Sequence, residues 1–591
     1  MIYVSEEYKK ACESGSRTSY VIAKYGQFDK TIKGKIKKIN TYDMQSFSNI
    51  NKVYNDVRDT TFNYITCEPN RVRLNNTFYF ISDKTKSNEN EKIAFFGKTL
   101  SDSTGAIIKN GGGKGNAIEI RFSEIMLLND ILLHFQEVCE EMEITFGLTS
   151  SSSGGSITSV YRATIVGNKD LTYAVLIPEK YKNASYNYLN ISFRKTAEPY
   201  RFAKLNEIDF GSFQTFTNQE IKDLEVIDEL SIDSSELTSN YLSLTLDDTK
   251  GNYNILNPKN KLSLLQEKQE IVIYHYLKVN NAYQEIPLGT FLLKEFKINK
   301  NSLTIEAYDD IYFMNKMYYG SKFYNNVEIK DILQDLFTYF DYSKYVIDDE
   351  LEGIKLTGYI PIVEFREALR MICEAGGCVV NKTRYGETYI FKTYDPSVKT
   401  FDKRLIFEEN HSRNLFNNVI DIIENTYLET PNQEVYRATL GVGEHNVIFD
   451  VFPILQNTLP QSGTNSNFTI KEQYATSCII NVTKETEVVL NATLMKQSTS
   501  VKRYKKDTNI SYDEYAISKI DNALITSSNS SDIASWKLNR GEIKYNFNTL
   551  TIPYVEVGDT CKYKTNFGTT NTFIPTRLEF DKTLKQNIEG E

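Results

Sequence analysis

Leu242-Ser-Leu-Thr-Leu246 alternates apolar and polar residues at period two, and runs of this kind recur along most of the chain. Among them are Ala117-Ile-Glu-Ile-Arg-Phe122, Leu171-Thr-Tyr-Ala-Val-Leu-Ile177, Leu189-Asn-Ile-Ser-Phe193, Ile271-Val-Ile-Tyr-His-Tyr276 and Ser302-Leu-Thr-Ile-Glu-Ala-Tyr308. A period of two stacks the apolar residues on one face of a strand. The chain is therefore mainly β. At 591 residues it is long enough for about four separate cores, so the fold class is multidomain. The 40 Tyr and 33 Phe, against one Trp, fit pleated surfaces. The same bias also follows from an AT-rich genome.

Ser19 to Asn40 reads as a β-hairpin, with Tyr20, Ile22, Ile32, Ile36 and Ile39 broken by Gly26 and Gly34. A lone hairpin is not stable, so it requires strands from elsewhere and implies an insertion after it. From Asp43 to Gly211 the runs suggest a β-sandwich, with Ile118, Ile120 and Phe122 on one face and a core that also takes Phe78, Phe80, Ile191 and Phe193. Asn110 to Gly115 and Ser150 to Ser156 read as exposed loops; Gly111-Gly-Gly-Lys-Gly115 lacks the spacing of a phosphate-binding loop. Strands from Leu242 to Tyr308, with a turn at Asp247 to Gly251, suggest a small barrel with Leu242, Leu244, Leu246, Ile273 and Ile305 inside. The period then lengthens. Ile329, Ile332, Leu333, Leu336, Phe337 and Phe340 mark one helix, and Phe365, Leu369, Ile372 and Cys373 a second that stops at Gly376-Gly377. A hairpin follows, turning at Tyr385-Gly386, and from Val398 onward the chain returns to strands.

Three stretches, Tyr64-Ile-Thr-Cys-Glu-Pro-Asn-Arg-Val-Arg-Leu-Asn75, Leu100-Ser-Asp-Ser-Thr-Gly105 and Pro199-Tyr-Arg-Phe-Ala-Lys-Leu-Asn-Glu-Ile-Asp-Phe-Gly211, resemble the galactose-binding-like jelly rolls inside tail-hub proteins of phages of Gram-positive bacteria. Leu244-Thr-Leu-Asp-Asp248, Gly251-Asn-Tyr-Asn-Ile-Leu-Asn-Pro258, Gly289-Thr-Phe291 and Leu303-Thr-Ile-Glu-Ala-Tyr-Asp309 are similar, in this order, to the first barrel of such hubs. Ile520-Asp-Asn522, Val557-Gly-Asp-Thr560 and Pro575-Thr-Arg-Leu-Glu-Phe580 resemble their last part, and the likeness is weakest between Leu428 and Lys506. The resemblance implies two hub-type β-barrels, an inserted jelly-roll β-sandwich and a small α/β subdomain. The expected boundaries are 1–42 for the N-terminal hairpin of the first barrel, 43–211 for the jelly roll and 212–318 for the rest of that barrel. They continue with 319–397 for the α/β subdomain and 398–591 for the second barrel with embellishments.

The same resemblance implies a homotrimer that adapts a sixfold tail tube to a threefold tip and lines the DNA exit channel in a virion assembled in the host cytoplasm. Its implied partners are a distal tail protein ring, the C-terminus of the tape-measure protein, a receptor-binding or tip protein and a host cell-surface glycan. A glycan-binding adhesin acting through the jelly roll is the rival reading, and a wall-degrading tail enzyme a more distant one.

The net charge of −9 argues against specific nucleic-acid binding, which needs clustered Lys and Arg. No apolar run reaches the length of a membrane span, and Met1 to Lys10 carries no leader pattern, so a cytoplasmic product is expected. Seven scattered Cys read as buried thiols; Cys373 and Cys378 lack a nearby His for a metal site. The four His, at 134, 275, 411 and 445, form no ligand or nucleophile motif, and His275 mid-strand reads as packed. No catalytic residue, metal or cofactor is therefore expected, and the chain after Phe580 is too short for a lytic module. Arg71, Tyr200 and Arg201 are the candidate sugar-binding residues, with Tyr200 as a stacking surface. Alternatively, both Arg brace the sandwich through Glu68 and Glu207.

Overall fold

The computed structural model describes residues 2, 4–14, 17–28, 35–42, 44–46, 95–97, 99–108, 116–128, 130–135, 138–149, 156–170, 172–181, 184–249, 251, 267–280, 282–392, 395–401, 405–413, 419–450, 452–459, 467–506, 517–539, 543–565, 567–583 and 585–591. The protein is mainly β and divides into two compact units, one of residues 24–215 and one holding the rest of the described chain. Four α-helices stand among the described residues: α1 (Glu6–Cys12), α2 (Ile329–Tyr339), α3 (Phe365–Gly376) and α4 (Ser530–Leu538). None is long and apolar enough to cross a membrane.

The unit of residues 24–215 is a sandwich of antiparallel strands. One sheet runs Ile36–Tyr42, Ala117–Leu127, Ser185–Thr196, Cys139–Thr149, Ile157–Ile165. The other is built on Lys204–Phe216, which pairs with Asp130–Phe135 and with Phe95–Gly97. Ile118, Ile120, Ile191 and Phe193 enter the shared core, as the alternation requires, with Ile131, Leu133, Ile208 and Phe210 facing them. Phe78, Phe80, the Asn110 to Gly115 loop and all of Ser150 to Ser156 but its last residue lie outside the described residues.

The expected hairpin is corrected here. Ile36–Tyr42 does not return along Ser19–Phe28; it pairs antiparallel with Ala117–Leu127 from Ile36↔Phe122 to Tyr42↔Ala117. The alternation identifies both segments as strands but carries no information on partners. Ala117–Leu127 is bonded to Ser185–Thr196 along one edge, and Ile36–Tyr42 takes up the N–H and C=O groups of its other edge. The second strand assigned to 1–42 thus belongs to the sandwich.

In the other unit a single run of strands joins two barrels. Its order is Ile406–Arg413, Ile543–Leu550, Lys585–Gly590, Pro575–Asp581, Ile221–Glu229, Tyr241–Asp247, Ser302–Tyr308, Ala282–Asn299, Glu270–Val279, Ser19–Phe28. Leu242, Leu244, Leu246, Ile273 and Ile305 are all buried inside the first barrel. The helices lie where the longer period places them. α2 and α3 share a core through Ile329, Leu333, Leu336, Leu369 and Ile372, and α4 adds Ile533 and Ala534. α3 ends at Gly377, whose φ of +61° a Cβ would penalise; Cys378 N donates to Cys373 O at 3.0 Å across the cap.

The stretch least legible in sequence is a long ribbon. Val419–Leu440 pairs antiparallel with Thr486–Lys505. At 22 residues the first strand spans roughly 70 Å. A bare two-stranded ribbon is marginal in water. Here Ile420 and Ile422 anchor one end in the helical core. The other end packs, through Val435, Val488 and Leu490, on a small sheet of Gly443–Ile448, Ser477–Val482 and Phe468–Gln473.

Candidate functional site

The two barrels meet edge to edge. Ile221–Glu229 of the first pairs antiparallel with Pro575–Asp581 of the second, from Glu225↔Asp581 to Glu229↔Arg577. Leu230 N extends the ladder by donating to Thr576 O at 2.9 Å. Val226, Leu578 and Phe580 are fully buried or nearly so on one face, while Arg577 pairs with Glu229 on the other. Backbone bonds and an apolar layer therefore fix the barrels together.

Arg384 locks this joint. It sits in the turn Thr383–Gly386 of the α/β hairpin, closed by Gly386 N donating to Thr383 O. Gly386 has φ +85°, and a Cβ there would press on Thr290 of the first barrel at 3.3 Å. The guanidinium is only 1% exposed and donates to Pro553 O and, at 2.7 Å, to Val555 O. It lies 5.1 Å over the Phe580 ring and 3.6 Å from Asp228 Oδ2. Burial pushes the Asp228 carboxyl up to about 6, and Arg384 opposes that rise. One side chain thus ties the subdomain to both barrels. Nothing in Thr383-Arg-Tyr-Gly386 marked the Arg as buried, since such a turn normally faces water.

At the far side of the second barrel, Ile406–Arg413 closes the run of strands. Ile543–Leu550 pairs with one of its edges, and no other described strand pairs with the opposite one. Phe407 is 58% exposed. Beside the strand lies a cleft of about 310 Å³, whose lining includes Asn410, His411, Ser412, Tyr545, Thr576 and Glu589. His411 packs against the Tyr545 and Tyr563 rings with centroids 5.4 Å away. Glu408 and Glu409 do not project freely: Asn548 Nδ2 donates to the first at 2.9 Å and Tyr563 Oη to the second at 2.6 Å.

The remaining candidates fall in place separately. His275 is fully buried on Glu270–Val279, with no hydrogen-bond partner on either ring nitrogen among the described residues. Burial, reinforced by the nearby Arg17 and Arg384 charges, pushes it down to about 3. Cys373 and Cys378 are buried at the end of α3, where desolvation raises the Cys373 thiol. Among the described residues no group of three or more His, Cys, Asp or Glu side chains is placed to hold a metal ion.

In the sandwich, Arg201 is buried and its Nη2 lies 2.9 Å from Glu198 Oε2. Its backbone exchanges bonds with Ser101: Ser101 N donates to Arg201 O at 2.9 Å, and Arg201 N donates to Ser101 Oγ at 3.0 Å. Glu198, which pairs with Arg201, lies three residues back on its own loop. Tyr200 stands beside it at φ +56° with 45% of its surface exposed. Arg71 and Glu68 lie outside the described residues, and of Glu207 only the backbone, on Lys204–Phe216, is described.

No family model matches the sequence, and no curated protein does. Among solved structures the chain is similar to the 43 kDa tail protein of prophage MuSo2 from Shewanella oneidensis, at 10% identity over 64% of this chain and 94% of that one, with a TM-score of 0.37. It is similar to prophage tail protein gp18 from Listeria monocytogenes EGD-e, at 10% identity over 62% and 94%, with a TM-score of 0.32. It is also similar to the CBM32-1 and CBM32-2 domains of ZmpB from Clostridium perfringens, at 17% identity over 32% and 36%, with a TM-score of 0.18.

Proposed function

We propose that this chain is a non-enzymatic structural hub at the tip of a phage-type tail, acting as a homotrimer. The observation that carries the reading is the edge-to-edge joint of two barrels in one run of strands, locked by the buried Arg384. A chain that holds two barrels side by side presents six when three copies close a ring, which is how a threefold part can meet a sixfold tube. The sequence resemblance to tail hubs supplies the setting: a virion tail tip with a distal tail protein ring on one side, the end of the tape measure within and a receptor-binding or tip protein on the other. An axial channel through such a ring passes DNA most freely when its wall is not basic, and the net charge of −9 fits that need.

The unit of residues 24–215 is, in this reading, the inserted jelly roll. A second role as a glycan-binding module is favoured by one observation, the exposed Tyr200 on a loop that buried Arg201 holds in shape. Antibody labelling of tailed particles from the producing cell tests the hub reading. Label confined to the tail tip is expected; label on the tube, on the head or only on free protein would overturn it.

A further inference from the structure

We infer that the N-terminal segment 4–17 is a clasp laid across both barrels, which opens and recloses as a unit while the rest of the protein stays folded. The inference goes beyond the hub reading and does not rest on it.

The segment touches both barrels. α1 begins at the N-cap Ser5, whose Oγ accepts from Tyr8 N at 3.2 Å, and it rests on Glu270–Val279 of the first barrel. Lys278 N of that strand donates to Thr18 O at 2.9 Å. On the other side Cys12 Sγ lies 3.4 Å from Thr551 O, which also accepts from Arg17 Nη1 at 2.7 Å. Lys399, on Asp395–Phe401 of the second barrel, pairs with Glu13. Arg384 takes up the Pro553 and Val555 carbonyls of the same loop, so that loop is gripped from two sides.

The two grips differ in kind. Beside Arg384 the barrels share a backbone ladder and an apolar layer. Among the described residues, every backbone hydrogen bond of Ser5 to Glu13 stays inside the segment. Only Tyr8 and Cys12 of α1 are buried, and a helix of two turns has no stability of its own. Part of what the clasp buries is polar. Tyr8 Oη and, in its seat, Tyr554 Oη and Thr551 Oγ1 have no hydrogen-bond partner among the described residues. The two Tyr rings meet edge to face with centroids 6.5 Å apart. Buried hydroxyls without partners are destabilising, and opening returns all three to water. A segment with few apolar contacts and a closed set of backbone bonds is the kind that opens locally, ahead of the barrels it joins.

Cys12 reports the opening. Its thiol is 1% exposed and burial pushes it up to about 11, so the closed clasp shields it from alkylation. The full-length chain is treated with iodoacetamide at about pH 8, where an exposed thiol is partly ionised, and each Cys is followed by mass spectrometry. Cys12 is expected to react at least about tenfold faster than Cys561, which is also buried in the second barrel. Tyr8→Phe removes one partnerless hydroxyl and keeps the ring, so it is expected to slow Cys12 by about tenfold. Arg17→Ala frees the Cys12 and Thr551 carbonyls and is expected to speed it by about tenfold. Cys561 and the Trp536 thermal transition should stay unchanged in both. If Arg17→Ala lowers that transition, Lys399→Met, which removes the Glu13 pair, takes its place and should speed Cys12 likewise. Cys12 reacting in step with Cys561 overturns the inference, because the segment then opens only with the whole barrel. A Cys12 rate that Tyr8→Phe raises or leaves unchanged overturns it too, since partnerless hydroxyls would not be what loosens the clasp.

Discussion

Replacing Arg384 by Met keeps most of the side-chain volume and removes the charge that holds the barrel joint. Asp228 would be left buried without its cationic neighbour, and the carbonyls of Pro553 and Val555 would lose their donor. Breaking a buried pair by removing one partner costs about 3–5 kcal/mol. At a slope of about 2–3 kcal/mol per molar urea, that moves the midpoint down by roughly 1–2 M. Trp536, the single Trp of the chain, lies on α4 against the subdomain that carries Arg384, so its fluorescence reads this region and not the sandwich. The pH dependence adds a second signature. A carboxyl raised above its unfolded value contributes stability that is complete below about pH 4 and is lost as pH rises through the folded value. In the unaltered protein that loss ends near pH 6. Without Arg384 the carboxyl rises further, so the variant is expected to keep losing stability above pH 6 and to recover when Asp228 is also replaced by Asn. A midpoint shift below about 0.3 M with no added slope between pH 6 and 8 would refute the assignment of Arg384 as the lock.

Three further outcomes are expected. His275→Leu should steady the first barrel in acid: a His held near 3 when folded but near 6.5 when unfolded costs stability as pH falls below 6.5, about 3 kcal/mol by pH 4.5, and urea melts at pH 7.5 and 4.5 should show that loss only in the unaltered chain. Deleting residues 43–211 should strand Ile36–Tyr42 without Ala117–Leu127 and lower solubility, whereas deleting 29–215 through a flexible linker should leave the Trp536 transition intact; soluble yield and melting of the two proteins decide this. Zymography against Gram-positive walls should show no clearing, and a band lost on replacing a single carboxylate would make the chain an enzyme.

Much of the fold was legible because period and side chain are directly coupled. Ile118, Ile120, Leu242, Leu244, Ile329, Ile332, Leu333, Leu336 and Phe337 declare their faces by spacing alone, and each is buried. Partner choice was not legible. Ile36–Tyr42 reads as a strand in either sheet, and the ladder it joins is settled by contacts some eighty residues away. The ribbon was missed because Val419–Leu440 lacks clean alternation: most of Glu429 to Glu434 faces solvent on both sides. α1 and α4 were missed because a helix of two turns carries too few apolar positions to set a period; Tyr8 and Cys12 are the buried pair of α1. The joint itself was half legible. Pro575 to Phe580 stood out as a closing strand, but its pairing with Ile221–Glu229 and the burial of Arg384 depend on tertiary packing. Arg201 was named and is buried, beside Glu198 three residues back on its own loop.

The central claim is that three copies set six barrels in a ring around a channel. Electron-microscopy averages of the purified full-length chain, alone and mixed with the distal tail protein proposed as its partner, test it most directly. The account predicts a threefold ring in which six barrel-sized densities surround an open axis, alternate contacts being the Ile221–Glu229 joint. Single, unassociated particles under both conditions, or a closed assembly of two or four copies, would contradict it.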